Sequence, residues 1–311
     1  MPCWCVLVAC GRFGFELAPG EAGADASVEG EDASSLDLGK DAGAPPPPTP
    51  TYGCGADGGP ACDEVASIPE VGFDRGNDAL YPGRMGGVTL DRFEVTVARF
   101  RAFVDAGGGV AASAPAPGAG AHPADDATGW RSSWDVELEA TSATLRAALA
   151  TAGTFTATPG DDDRLPITGL TWYEAFAFCV WDGGRLPSLL EYQAASVGGP
   201  QQRLYPWATE EFTAAHIGPA LEAPGSRSPI GDGRWGHADL QGGAMEWGLD
   251  YFGLVAEMCD DCVQSAPLST SSRVVHGWKS GADAYAYMAK PAHTGAAPRS
   301  RSEYYGVRCA R

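Results

Sequence analysis

Leu170-Thr171-Trp172-Tyr173-Glu174-Ala175-Phe176-Ala177-Phe178-Cys179-Val180-Trp181, followed by Gly183-Gly184 and then Arg185-Leu186-Pro187-Ser188, reads as two helices separated by a sharp break. The first should run over residues 173–181 and stop at the glycines, whose backbone freedom suits a helix end. A second should follow Pro187, with Ser188 or its neighbour near the N-terminal cap. Upstream, residues 88–96 alternate well enough for a strand, and residues 97–104 place Phe100, Phe103 and Val104 at helical spacing. Residues 106–128 revert to Ala, Gly, Pro and Asp, an insertion loop, before Trp130, Trp134 and a helix over residues 138–150. Downstream, Gly242-Gly243 and Met245-Glu246-Trp247 fall in a block over residues 238–251, and residues 273–311 carry few helix signals. Short scattered helices, no repeat period, and 42 Gly with 24 Pro imply a coil-rich, irregular α+β fold with short helices and small antiparallel sheets.

The chain has 311 residues, 44% of them hydrophobic, enough to bury a sizeable core. Its formal net charge is -19, and residues 11–80 hold fourteen acidic side chains against only Arg12, Lys40 and Arg75. Binding to nucleic acid depends on neutralising phosphates, so this acidic chain with no basic cluster is not a nucleic-acid binder. Residues 1–10 read as a truncated signal segment, and their ending Leu7-Val8-Ala9-Cys10 resembles a bacterial lipobox, with Cys10 as the lipidated residue. Residues 11–80 read as an acidic tether rich in Gly, Ala and Pro that holds residues 81–311 away from a membrane surface. The expected location is extracytoplasmic, with membrane contact only through the lipid. Six cysteines remain beyond the first ten residues, an even number that suits an oxidising compartment. Cys54 and Cys62 bracket a Gly-rich loop that they should close. Cys259-Asp260-Asp261-Cys262 reads as a local structural disulfide, because zinc would need further ligands that are not nearby.

Four separated motifs, in order, resemble the formylglycine-generating-enzyme family, also called sulfatase-modifying factors, over about residues 85–311. Leu90-Asp91-Arg92-Phe93-Glu94-Val95-Thr96 is similar to D-x-x-E-V-T. The stretch from Leu170 through Cys179-Val180-Trp181 to Arg185-Leu186-Pro187-Ser188 and Glu191-Tyr192 is similar to V-S-W-x-D-A, Y-C-x-W and R-L-P-T-E-x-E-W. Tyr205-Pro206-Trp207 with Gly242-Gly243-Ala244-Met245-Glu246-Trp247 resembles Y-P-W-G and G-N-V-W-E-W, and Gly306-Val307-Arg308-Cys309-Ala310 resembles G-F-R-C-A. The resemblance implies a C-type-lectin-like fold and a disulfide between Cys179 and Cys309. The residues themselves point first to scaffolding. Trp172, Trp181, Trp207 and Trp247 are large apolar bodies whose N–H groups need partners, and Arg185 can make a forked ion pair with Glu191 or Glu94.

The family's oxidases hold copper through two cysteines after an R-G-G-S motif, since soft thiolates suit Cu(I). Here that segment begins Val275-His276-Gly277-Trp278, the two cysteine positions fall near Gly281 and Ala286, and no cysteine lies between Cys262 and Cys309. No copper is expected, and the domain reads as a pseudoenzyme for that reaction. The family's iron branch needs H-x-x-x-H-x-E, and no two of His122, His216, His237, His276 and His293 share that spacing. Calcium is the cofactor the resemblance implies, through Glu246 with Gly243 and Ala244, and Asp232, Asp239 or Asp250 could replace the missing asparagine. The expectation is a binding module for a peptide or glycan, with Trp278, Lys279, Asp283 and Tyr285 lining its groove. The alternative is an active member, a formylglycine-generating or non-haem-iron oxidoreductase with an altered site in which Lys279 acts as base.

Overall fold

Two hairpin-like pairings open the domain in a computed structural model, which describes residues 54–55, 61–209, 213–253, 258–267, 271–278 and 293–311. β1 (Val65–Ile68) pairs antiparallel with β4 (Val88–Asp91), and β2 (Val71–Asp74) pairs antiparallel with β3 (Pro82–Met85). Strand pairing therefore begins at Val65, inside the segment that its acidic composition assigned to the tether over residues 11–80. The anchors are the buried Ile68 and Phe73, too thinly spread among acidic and small residues to stand out in the sequence. Cys10 lies outside the described residues.

β4 ends at Asp91 rather than running to Thr96. Its carboxylate leaves the ladder to accept from Arg99 at 3.0 Å and from Arg311. α1 (Val97–Asp105) follows, capped by Thr96, whose hydroxyl accepts the Arg99 N–H. The insertion over residues 106–128 is coil with short 3-10 turns, and its buried His122 places Nε2 3.4 Å from Glu191. α2 (Ser142–Ala152) starts later than the apolar pattern suggested, because Thr141 and Thr144 form a reciprocal cap.

α3 (Trp172–Trp181) and α4 (Leu189–Val197) match the two helices read from the sequence, with Thr171 and Ser188 as caps. The second half is sheet. β5 (Met245–Tyr251) lies between β7 (Arg273–His276) and β9 (Tyr305–Gly306), and β8 (His293–Ala296) flanks β7. β6 (Cys259–Asp260) joins β3. The β5–β9 and β3–β6 pairs are parallel and the rest are antiparallel.

α1 and α3 meet through Phe100 and Phe178, stacked at 5.3 Å, with Phe103 edge-on to both. Trp172 and Trp247 join α3 to β5 reciprocally. The Trp172 Nε1–H donates to Gly248 O at 2.8 Å, and the Trp247 Nε1–H donates to Leu170 O at 2.9 Å, so both buried rings find acceptors. Cys179 at the end of α3 is bonded to Cys309, closing a span of 130 residues, which on chain-entropy grounds is worth about 4 kcal/mol or more. Cys54–Cys62 and Cys259–Cys262 are also disulfides. Among the described residues no helix is long and apolar enough to cross a membrane.

Candidate functional site

The Gly242-Gly243 turn ahead of β5 brings together residues from three motifs. Both glycines have positive φ, 92° and 62°, a conformation that glycine adopts without strain. Glu94, just ahead of α1, reaches this turn, and its Oε1 accepts the Ala244 N–H at 2.6 Å. A Cβ at residue 243 would lie 2.3 Å from that oxygen. The absence of a side chain at Gly243 thus lets the carboxyl lie against the backbone. A narrow cleft opens here, lined by Glu94, Ile217, Asp239, Gln241, Gly242 and Gly243 among others, with room for about one water-sized occupant.

Burial, then the charges of Asp239 and Glu246, push the Glu94 carboxyl well above its usual range. Burial raises Asp239 to about 6. Arg308 lies directly on Glu246. Both residues are fully buried, and the Arg308 Nε–H reaches the two Glu246 oxygens at 2.9 and 2.8 Å. The Glu246 that the resemblance offered to calcium is thereby committed to a guanidinium. Asp232, Asp239 and Asp250 part company. Asp232 accepts from Ser228 beside Arg92, Asp250 accepts the Leu189 and Gln264 N–H groups, and Asp239 lines the cleft.

Of the groove residues, Trp278 is half-buried against Tyr205, Trp207 and Ile217, and its carbonyl accepts the Gly242 N–H at 3.0 Å. Lys279, Asp283 and Tyr285, like Gly281 and Ala286, lie outside the described residues. His276 stacks on Tyr192 at 4.2 Å, nearly parallel. Arg185 chooses Glu191 over Glu94, with two bonds of 2.8 and 2.5 Å. The cysteines at 54, 62, 179, 259, 262 and 309 are all oxidised in pairs, so the donor set does not fit copper. The one candidate metal group of His, Cys, Asp and Glu among the described residues is Asp91, Asp182 and Cys309. Its sulfur is in a disulfide, and both carboxylates pair with Arg99 and Arg311.

Sequence reasoning quoted Glu94 and Arg308 as motif residues without seeing what they touch. Their signal was a charged residue set among apolar ones, Phe93-Glu94-Val95 and Val307-Arg308-Cys309.

The sequence profile of the sulfatase-modifying factor enzyme 1-like domain matches residues 71–311. The chain belongs to this family. Among sulfatase-modifying-factor relatives, the formylglycine-generating enzyme of Bos taurus is 26% identical over 165 residues, which cover 47% of this chain and 43% of that one. The serine/threonine-protein kinase pkn1 of Chlamydia caviae is 29% identical over 159 residues, 47% of this chain and 24% of the kinase. The matched region thus spans less than half of either relative. The solved structure of PvdO from Pseudomonas aeruginosa superposes with a TM-score of 0.52 at 16% identity, covering 86% of this chain and 99% of that one. That likeness is one of fold, and it matches the irregular α+β architecture expected of a sulfatase-modifying-factor domain.

Proposed function

We propose that this sulfatase-modifying-factor-type domain is an exported binding module for a peptide or glycan, without formylglycine-generating oxidase activity. The carrying observation is the state of the cysteines. Every cysteine from 54 onward is paired in a disulfide, and the segment after Gly277 that would hold a copper-binding thiolate pair contains none before Cys309. Cu(I) at that place would lack its soft ligands. The acidic residues ahead of Val65 suit a tether to a lipid at Cys10, on the face away from the cytoplasm.

The test is incubation of the copper-treated protein with a C-x-P-x-R peptide under air, followed by peptide mass spectrometry and a peptide and glycan array screen of the same preparation. An unchanged peptide with saturable retention of an array ligand supports the reading. Conversion of the peptide cysteine to formylglycine sinks it.

A further inference from the structure

Arg101, Arg185 and Arg308 are buried against carboxylates, those of Asp163, Glu191 and Glu246. Arg273, at the start of β7, is not. It is 5% exposed, and its one hydrogen bond among the described residues runs from Nη1 to Leu249 O at 2.8 Å. Asp250 is near enough to act on its charge, but the two oxygens of that carboxylate accept the Leu189 and Gln264 N–H groups. What holds Arg273 instead is aromatic. Its guanidinium carbon lies 3.9 Å from the centre of the Trp172 ring and 3.5 Å from that of Tyr251, close enough for both ring faces to attract the cation. Burial lowers its pKa to about 10, so it stays charged at neutral pH.

The clamp fixes which donors are left. Nη1 is turned to Leu249, whereas Nε and Nη2, the pair on the other edge of the guanidinium, have no acceptor among the described residues. Neither is sealed in the interior, so that edge meets the surface. A second cation stands close by. The Arg131 guanidinium carbon is 5.1 Å from the centre of the Trp134 ring, and that of Arg273 is 5.7 Å from the same centre. Arg131 is exposed, donates from Nη2 to Ala127 O, and makes no ion pair among the described residues. Glu137, which acts on the neighbouring Tyr173, is paired with Arg299. Two guanidiniums on one indole give a local positive field in a chain of formal net charge -19.

We propose that the Nε–Nη2 edge of Arg273 binds the carboxylate of an acidic ligand, with Arg131 adding to the attraction. The edge offers two parallel N–H groups, which match the two oxygens of a carboxylate. Trp172 and Tyr251 cover the guanidinium's faces, so the ligand group must arrive in the plane of the fork, as a flat carboxylate does. One fork balances one negative charge, and a phosphate dianion would bring a second into a protein that is already acidic. The carboxylate belongs to an acid sugar or to an acidic peptide side chain. The site sits at the Arg273 end of β7, whereas His276 at the other end leads into the segment where the copper cysteines would fall. The inference deepens the binding-module reading by giving the ligand its charge. Its test uses defined small probes, so a blank array leaves it standing and its failure leaves an array ligand standing.

The full chain is titrated by calorimetry, at constant ionic strength, with sodium glucuronate, with the α-amide of N-acetylglutamate, and with the methyl ester of each. The wild type should bind at least one of the two acids saturably at one site, and its ester about tenfold more weakly or worse. A preference for glucuronate would place the carboxylate on a glycan and a preference for the glutamate compound on a peptide, and either supports the site. Arg273→Lys keeps the charge but loses the planar fork, and should weaken the preferred acid by about tenfold or more. Arg131→Gln, an exposed change outside the clamp, should weaken it by about threefold, and it serves where the lysine variant does not fold. Arg84→Gln, exposed and paired with Glu70, should bind as the wild type does. Binding of neither acid, equal binding of acid and ester, or wild-type affinity in Arg131→Gln or in a folded Arg273→Lys would overturn the proposal.

Discussion

Arg308 makes the densest set of bonds around the Gly-Gly turn, and its neighbours show what would follow from its loss. Its side chain and that of Glu246 are fully buried, so removing the guanidinium strands a carboxylate in a low-dielectric interior. The carbonyls of Asp91, Arg92 and Ala238 would lose the same donor group. Breaking a buried pair from one side costs about 3–5 kcal/mol, and Arg308→Met should fall in that range by urea unfolding at neutral pH. Adding Glu246→Gln to Arg308→Met should recover part of the loss, because it removes the uncompensated charge. A single variant within about 1 kcal/mol of wild type would mean that water enters and replaces the guanidinium.

At the scale of elements, α3 and α4 begin with the same device. Thr171 accepts the Glu174 N–H while Glu174 accepts the Thr171 N–H, and Ser188 and Glu191 do likewise. Each glutamate is then forked by an arginine, Arg301 on Glu174 and Arg185 on Glu191. Ser188→Ala removes the hydroxyl that accepts the Glu191 N–H and should lower stability by about 1 kcal/mol, read as a shift of the denaturation midpoint at unchanged slope. No shift at all would show that the Arg185–Glu191 fork alone sets the start of α4. These helices were legible in the sequence because aromatic spacing, a capping residue and a terminal glycine pair agree locally. β1 and β2 were not, since four-residue strands give too few alternations, and their register comes from β4 and β3. The start of α2 was misplaced by Leu138 and Ala140, which precede the capping Thr141. The cleft was illegible for a different reason. Glu94 and Ala244 are 150 residues apart, and a contact of that length is set by the whole packing, not by any local pattern.

The whole molecule has a formal net charge of -19 and ionisable groups buried in its interior, and three of the buried groups shape its response to acid. His276 is 1% exposed, its Nε2 has no partner, and burial followed by the charges of His293 and Arg308 holds its pKa well below the usual value. The unfolded chain therefore takes up this proton first, so the histidine's contribution is intact above about pH 6.5 and is lost as pH falls below it. Glu191 acts in a lower window. Burial pulls its carboxyl upward, but bonds from Arg185 and His122 override that and hold it at about 2. Its contribution is present above the unfolded value near 4.5 and disappears as pH falls toward 2. Asp239, raised by burial to about 6, has the opposite sign, gaining stability as pH falls through 6, and does so in wild type and variant alike. His276→Phe keeps an aromatic ring on Tyr192 and deletes the titrating nitrogens, so the difference between the two proteins isolates the histidine. Urea unfolding at pH 7, 6 and 5 should show the wild type losing up to about 1.4 kcal/mol more per pH unit than the variant below about pH 6.5. Parallel curves would mean that His276 gains its proton in the folded state as readily as in the unfolded one, and that the seal between β7 and α4 admits water.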